Sequence, residues 1–332
     1  MNYGNLLARS WDAVRNHRHM LALGVLAILG VDAGISGAGP IAQLVFDPNI
    51  EQVIRQQIVA PSSTSLPEVQ MTVEIAKVFY VVAGFSTMVV GVLLWINSRI
   101  AEGGLIASAQ QIERGQASSF AHSWMGGRGK MASLAATGLI VLLPAGALSL
   151  TYSITSAVSS LVPTQQSLDS AAAPDTRLLV TWLGYTCASL LLGVPLTLVR
   201  TLADRAVTLD GLRAGAAVQR GLAVLRARLG QVLVVALIEI GARLMIAVVV
   251  GGAAYCALIG LLVAGIATAG AEQGLSGALA VAVCCLLPPL LLVGGALQSY
   301  FATLWTLAWR AWTAKDGEGG VMVKPLPEKV GQ

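Results

Sequence analysis

Six apolar segments dominate this chain. Each approaches or exceeds the roughly 20 helical residues needed to cross a bilayer's hydrocarbon core. They lie near Leu21–Leu44, Ile75–Ile96, Met131–Leu150, Leu178–Leu198, Val232–Ala264 and Leu279–Trp309. Inside lipid every backbone polar group must be satisfied within the segment or by a closed barrel. Runs this long therefore read as helices. Only 11% of the residues are charged, against about 25% in soluble domains. The expected fold is all-α and integral to a membrane, with about six transmembrane helices and amphipathic interfacial helices on the cytoplasmic side. Asp32 and several glycines interrupt the first segment. The fifth and sixth are long enough to tilt or project. Gly251-Gly252 interrupts the fifth, but too few residues follow for a further crossing.

Lys and Arg give the threading. With the N-terminus inside, segments 1–20, 98–130, 199–231 and 310–332 face the cytoplasm and carry three, four, six and four basic residues. The outer side carries Arg55, Lys77 and Arg177, and Arg243 lies within the fifth span. That bias is the positive-inside rule, and it predicts both termini in the cytoplasm. Trp11, Trp95, Trp124, Trp305, Trp309 and Trp312 fall at predicted inner boundaries, where aromatic belts sit.

Arg200–Gly230 is too polar to span. Val218, Leu222, Leu225 and Leu229 form an apolar stripe at helical spacing. Arg213 and Arg220 fall opposite it, and Arg226 and Arg228 flank it, so the four read as contacts to anionic lipid headgroups. Tyr3–Met20 reads as a second interfacial helix, with Leu7, Trp11 and Val14 on one stripe, rather than as a signal peptide. The domain reading is an N-terminal interfacial helix over 1–20, a membrane domain over 21–312 and a flexible tail over 313–332. Asn49–Val59 is expected as a short helix in the large outer loop. Val162–Asp175 is expected as a second outer loop.

The linkers Arg99–Trp124 and Arg200–Gly230 echo each other. Each starts with Arg at the end of a span, passes an acidic residue, contains an Arg-Gly pair (Arg114-Gly115, Arg220-Gly221) and runs into the next span. This pattern suggests two related hairpins. DRAVTLDGLRAGAAVQRGLAVLRARLGQVLVVALI (Asp204–Ile238) and, as a degenerate copy, EGGLIASAQQIERGQASSFAHSW (Glu102–Trp124) resemble a group of prokaryotic multi-pass proteins. That group is related to the membrane domain fused to some glycerophosphoryl diester phosphodiesterases. The resemblance implies a prokaryotic membrane protein. It implies no hydrolase activity, because the soluble catalytic domain and its His/Glu metal constellation are absent from the sequence.

Chemistry-bearing residues are few. Glu239 and Arg243 are four apart on one predicted helix, acid first, and can pair along one face. A charge at membrane depth costs about 2.5 to 3.5 kcal/mol on insertion scales. The pair is therefore either mutual neutralisation or a polar site for an ion, a headgroup or a partner. Asp32 is the third candidate intramembrane polar residue. It reads either as a proton or cation site, or as a residue near the outer mouth or hydrogen-bonded to a neighbouring helix through the glycines around it. Pro144, Pro195 and Pro288-Pro289 interrupt three spans without any accompanying ionisable cluster. Phe301, Trp305, Trp309 and Trp312 share a face and read as a belt or a helix contact. His17, His19 and His122 lie outside the spans, so no haem ligand pair is expected at membrane depth. Cys187, Cys256, Cys284 and Cys285 have neither metal nor disulfide spacing. There is no GxxxxGK(S/T), GxSxG or HExxH.

The expected function is non-catalytic: a scaffold or accessory subunit of a larger membrane complex, a bioenergetic one among the options. The alternative is a transporter or lipid-handling protein using Glu239, Arg243 and Asp32. No enzyme activity, cofactor or metal is expected. The expected partners are membrane lipids and other integral membrane subunits, not nucleic acid.

Overall fold

The computed structural model describes residues 2–31, 66–161, 176–269 and 271–314. Among them the regular structure is helical throughout: α1 (Tyr3–Asn16), α2 (Arg18–Val31), α3 (Leu66–Glu113), α4 (Phe120–Arg128), α5 (Met131–Leu161), α6 (Thr176–Leu209), α7 (Ala214–Ala227), α8 (Leu229–Ile246), α9 (Gly252–Ala269) and α10 (Ala271–Thr313). A π-helical turn, Ala247–Gly251, joins α8 to α9. The glycine pair in the fifth segment thus marks a local widening and not a break.

Five helical stretches are long and apolar enough to cross a membrane: Phe85–Glu113, Met131–Ser149, Leu183–Leu209, Leu229–Leu261 and Cys284–Thr313. The protein is an all-α, multi-pass membrane protein. The shorter apolar helix Arg18–Gly30 begins the expected first span. Asp32, the rest of that span, the Asn49–Val59 helix, the Val162–Asp175 loop and the tail from Lys315 lie outside the described residues.

Two expectations about the linkers need correction. The span helices do not stop at Arg99 and Arg200. α3 runs unbroken for 48 residues, about 72 Å, and α6 continues to Leu209. Residues 99–113 hold good helix formers and no proline, so nothing stops the helix before Gly115. The echo between the linkers also has a different register. α3 ends at Gly115 and α6 at Gly211, each at φ +69°, a conformation glycine tolerates. Gly115 N–H bonds Ile112 O and Gln116 N–H bonds Gln111 O, both at 3.0 Å, which is a Schellman closure. At Gly211 the closure is wider, with Leu212 N–H on Ala206 O at 3.3 Å. Each glycine leads to a short helix (α4, α7) and then to the next long one (α5, α8). The counterpart of Arg114-Gly115 is therefore Asp210-Gly211. Gly221 is a buried residue inside α7.

The chain divides into two compact units. Unit 1 comprises Met1–Ile28, Ser98–Leu134 and Thr201–Gln332, and unit 2 comprises Leu29–Asn97 and Ala135–Arg200. Unit 1 has a packed core of Met20, Leu23, Ala27, Ala101, Leu105, Ala109 and Ala302, with Leu26, Ile112 and Trp124 against it. α2 and α10 touch backbone to backbone, since a Cβ on Gly24 would overlap the Gly295 carbonyl and the Ser299 hydroxyl. The Ser299 hydroxyl also donates to Met20 O at 2.7 Å. α3 and α4 meet in the same way, with Gly127 against Ile100 O and Gly104 N. Small residues at such crossings replace the hydrophobic drive that lipid does not supply. In unit 2, Tyr152 and Tyr185 rings lie 4.7 Å apart and the Tyr185 hydroxyl is 3.2 Å from that of Ser149.

Candidate functional site

Glu239 and Arg243 sit one turn apart on α8, and the structure brings them together. Arg243 Nε and Nη2 approach Glu239 Oε1 at 2.8 and 2.7 Å. α10 completes the group. Gln298 Oε1 accepts from Arg243 Nη2 at 2.9 Å, and the Phe301 ring lies 5.1 Å from the guanidinium carbon. Trp305 Nε1–H donates to Glu239 Oε2 at 2.5 Å. Both carboxylate oxygens are therefore occupied from inside the protein, while the Arg243 side chain remains 43% exposed. Asp32, the third residue expected here, lies outside the described residues.

A second ionic group was not singled out from the sequence, and it is the more deeply buried one. Arg99, Glu102, Asp204 and Arg205 are all at least nine-tenths buried. Arg99 Nη1 lies 2.7 Å from Glu102 Oε2 and 3.7 Å from Asp204 Oδ2. The nearer contact is an ion pair off the line of a hydrogen bond. Arg205 donates to Thr201 O at 2.5 Å, and its guanidinium carbon lies 5.8 Å from the Trp305 ring centroid. Charges this buried persist only when paired. The sequence signal is an acid three residues after Arg99 and the pair Asp204-Arg205, which a surface linker accounts for equally well. The continuation of α3 and α6 is what carries them inside.

Trp305, Trp309 and Trp312 are buried too, so they form a helix contact and not a belt. Trp305 meets Trp312 edge to face at 6.1 Å. Glu113, at the end of α3, is bridged by Arg310 and, at 3.7 Å, by Arg9 of α1. His19 Nε2 lies 3.1 Å from both the Ser108 and Ser118 hydroxyls, which are 2.8 Å apart. This histidine therefore joins α2 to α3 and to the residues before α4, a role its sequence position did not reveal.

The linker helix α7 forms as expected, but its buried line is Ala217, Gly221 and Val224. Val218, Leu222 and Leu225 are half-buried beside that line, and Leu229 is exposed. Small residues let α7 pack closely, which moves the contact face one position from the stripe of large ones. Arg213, Arg220 and Arg226 are exposed and Arg228 is half-buried, so three of the four expected headgroup contacts face outward. At the end of α6, Lys130 Nζ donates to Thr208 O, a cation on a helix C-terminus. Burial lowers the pKa of Lys130, with Asp210 opposing. Burial raises that of Asp210, while Arg220, Trp309 and Lys130 pull it down. The Trp309 indole N–H acts on Asp210 from nearby without closing a hydrogen bond.

Among the described residues no cluster of three or more His, Cys, Asp or Glu is placed to hold a metal, and the four cysteines are free and exposed. Comparison with protein-family models, with curated proteins and with solved structures gives no match.

Proposed function

We propose that this chain is a non-catalytic scaffold or accessory subunit of a larger membrane complex, set in a prokaryotic cytoplasmic membrane with both termini inside. One observation carries the reading. In unit 1 buried Arg99 pairs with Glu102 and Asp204, yet the apolar windows of Leu229–Leu261 and Cys284–Thr313 are each only 17% buried within the chain. Leu237, Leu244, Met245, Val248, Val249 and Tyr255 are all more than 60% exposed. Such a surface meets lipid or the helices of another membrane protein. The basic segments 1–20, 98–130, 199–231 and 310–332 support the orientation.

The test is purification of the full chain in mild detergent, followed by native gel and mass identification. A large complex with a membrane protein in stoichiometric amount is expected. A chain that runs alone in every mild detergent sinks the proposal. The alternative, a lipid-handling protein, draws on the polar group at Glu239 and Arg243 set in that apolar surface.

A further inference from the structure

The donors around Arg243 are not used up. Its Nε and Nη2 serve Glu239 and Gln298, and among the described residues nothing accepts from Nη1 or from the Gln298 amide nitrogen. The Gln298 amide is oriented by its own bond, because only its oxygen can face an arginine N–H. Its NH2 group therefore lies within about 5 Å of Arg243 Nη2, by adding the covalent O···N spacing of an amide to the 2.9 Å bond. The Nη1 group is bonded to the same guanidinium carbon. Two NH2 groups without partners among the described residues thus belong to one hydrogen-bonded group. Both oxygens of Glu239 are engaged, so the site lacks acceptors rather than donors.

Its surroundings are apolar and open. Ile240, one turn before Arg243, is 51% exposed, and Leu244 and Met245 beside it are more exposed still. The Phe301 ring backs the guanidinium, and Trp305 fixes Glu239 from behind. The level is marked as well. Exposed Trp11 of α1 packs on Tyr300 at 6.5 Å, two residues from Gln298. Exposed Trp beside Tyr is the signature of the headgroup boundary.

We infer that Arg243 Nη1 and the Gln298 amide form a binding site for the phosphate of a membrane phospholipid, with its acyl chains on Ile240 and Leu244. With Nε and Nη2 engaged, Nη1 presents a charged N–H donor to a phosphate oxygen, and the Gln298 amide presents a neutral one. Glu239 neutralises the guanidinium and holds it by two donors, which leaves the Nη1 edge as the recognition surface. The proposal does not depend on the scaffold reading.

The experiment is native mass spectrometry of the full chain, delipidated in detergent and titrated with dioleoyl phosphatidylglycerol, with dioleoylglycerol (the same chains without phosphate) and with inorganic phosphate. Retention of the phospholipid at least about tenfold above dioleoylglycerol is expected, the scale of one charge-assisted contact. Inorganic phosphate in millimolar excess should not displace it. Gln298→Leu removes one donor and leaves the Glu239–Arg243 pair in place. Arg243→Lys keeps the charge and loses the planar group whose Nη1 faces the phosphate while Glu239 and Gln298 hold the other nitrogens. Each should lower phospholipid retention by about tenfold with the tryptophan emission unchanged. Equal retention of phospholipid and dioleoylglycerol by the wild-type chain overturns the inference without reference to any variant. So does retention that neither folded variant alters. Displacement by inorganic phosphate overturns the lipid as the source and assigns the site to a soluble anion.

Discussion

Trp305 donates its indole N–H to the carboxylate of Glu239 at 2.5 Å, across 66 positions of sequence. Arg243 holds the other oxygen of the same carboxylate. Glu239 is thus a junction between α8 and α10 as well as the counter-charge of Arg243. Glu239→Gln keeps an acceptor for Trp305 and loses the charge, whereas Glu239→Leu loses both. Glu239→Gln and Arg243→Gln should each lower stability by about 1 to 3 kcal/mol. Glu239→Leu should cost more than Glu239→Gln, and the Glu239→Gln/Arg243→Gln double variant should recover much of the single losses, since contacting neighbours are not additive. Thermal unfolding in detergent, followed by tryptophan fluorescence, gives the four values. Strict additivity would show that the pair is not coupled.

The Arg99, Glu102 and Asp204 group carries a larger expected cost. Removing one partner of a buried ion pair leaves an uncompensated charge, at about 3 to 5 kcal/mol. Asp204→Asn and Arg99→Gln should each reduce folded yield sharply. The charge matters more than the steric match, so Arg99→Met combined with Glu102→Gln and Asp204→Asn should fold better than Asp204→Asn alone. Wild-type yield from either single variant would place these groups in contact with water.

The elements were legible in the sequence where composition decides, and hidden where packing does. Six apolar runs announced the membrane class, and the α7 helix followed from the spacing of Val218, Leu222 and Leu225. The ends of α3 and α6 are not legible in the sequence, because an arginine after an apolar run ordinarily marks a bilayer boundary. Arg99 and Arg205 instead enter a protein interior, where Glu102 and Asp204 compensate Arg99 and Arg205 rests on Thr201 O and the Trp305 ring. Glu239 and Arg243 were identified because their spacing is local. Their partners Gln298 and Trp305 are separated from them by more than fifty residues, and no local period encodes such a contact. His19 was hidden for the same reason, as its serines lie 89 and 99 residues away.

Glycine substitutions should separate the helix crossings from the open surface. A Cβ at Gly24 meets the Gly295 backbone and Ser299, whereas one at Gly215 in α7 meets nothing within 4 Å. Gly24→Ala should destabilise by about 1 to 3 kcal/mol, because one of the overlapping atoms belongs to the backbone and cannot swing away. Gly215→Ala should be neutral or stabilise by up to about 1 kcal/mol through helix propensity. Melting curves of the two variants test this. A Gly24→Ala protein as stable as wild type would argue against the α2–α10 crossing.

Asp210 gives the chain a pH dependence of definite sign. Burial raises its pKa above 3.8, so the folded state binds the proton more tightly than the unfolded chain does. Its contribution to stability is present below pH 3.8 and is lost as pH rises through the folded value. Asp210→Asn removes that term. Plotted against pH from 3 upward, wild-type stability minus that of Asp210→Asn should therefore fall. Trp309 is an adjacent reporter for the fluorescence measurement. A difference that rises with pH would mean that Arg220 and Lys130 outweigh burial.

The threading can be tested independently of every contact above. Cys187, Cys256, Cys284 and Cys285 are exposed to the surroundings of the helices, so labelling requires a background in which all four are replaced by alanine. Into it single cysteines are placed at Ser62 and Ser167, in the segments expected outside, and at Gln116 and Gly215, in those expected inside. Gln116 follows the left-handed Gly115, and Gly215 lies on the open face of α7; both are exposed. Neither takes part in the His19 serine cluster, whose hydrogen bonds would make Ser118 a poor reporter. In intact cells an impermeant maleimide should label the positions at 62 and 167 and leave those at 116 and 215 unlabelled until the membrane is opened. Positions 116 and 215 follow the two matching helix ends and lie in basic segments expected on the inner side, so they should report the same side. Labelling of both from outside would reverse the orientation that the basic segments imply. Labelling of one alone would break the topology, since the two basic segments could not then both face the cytoplasm.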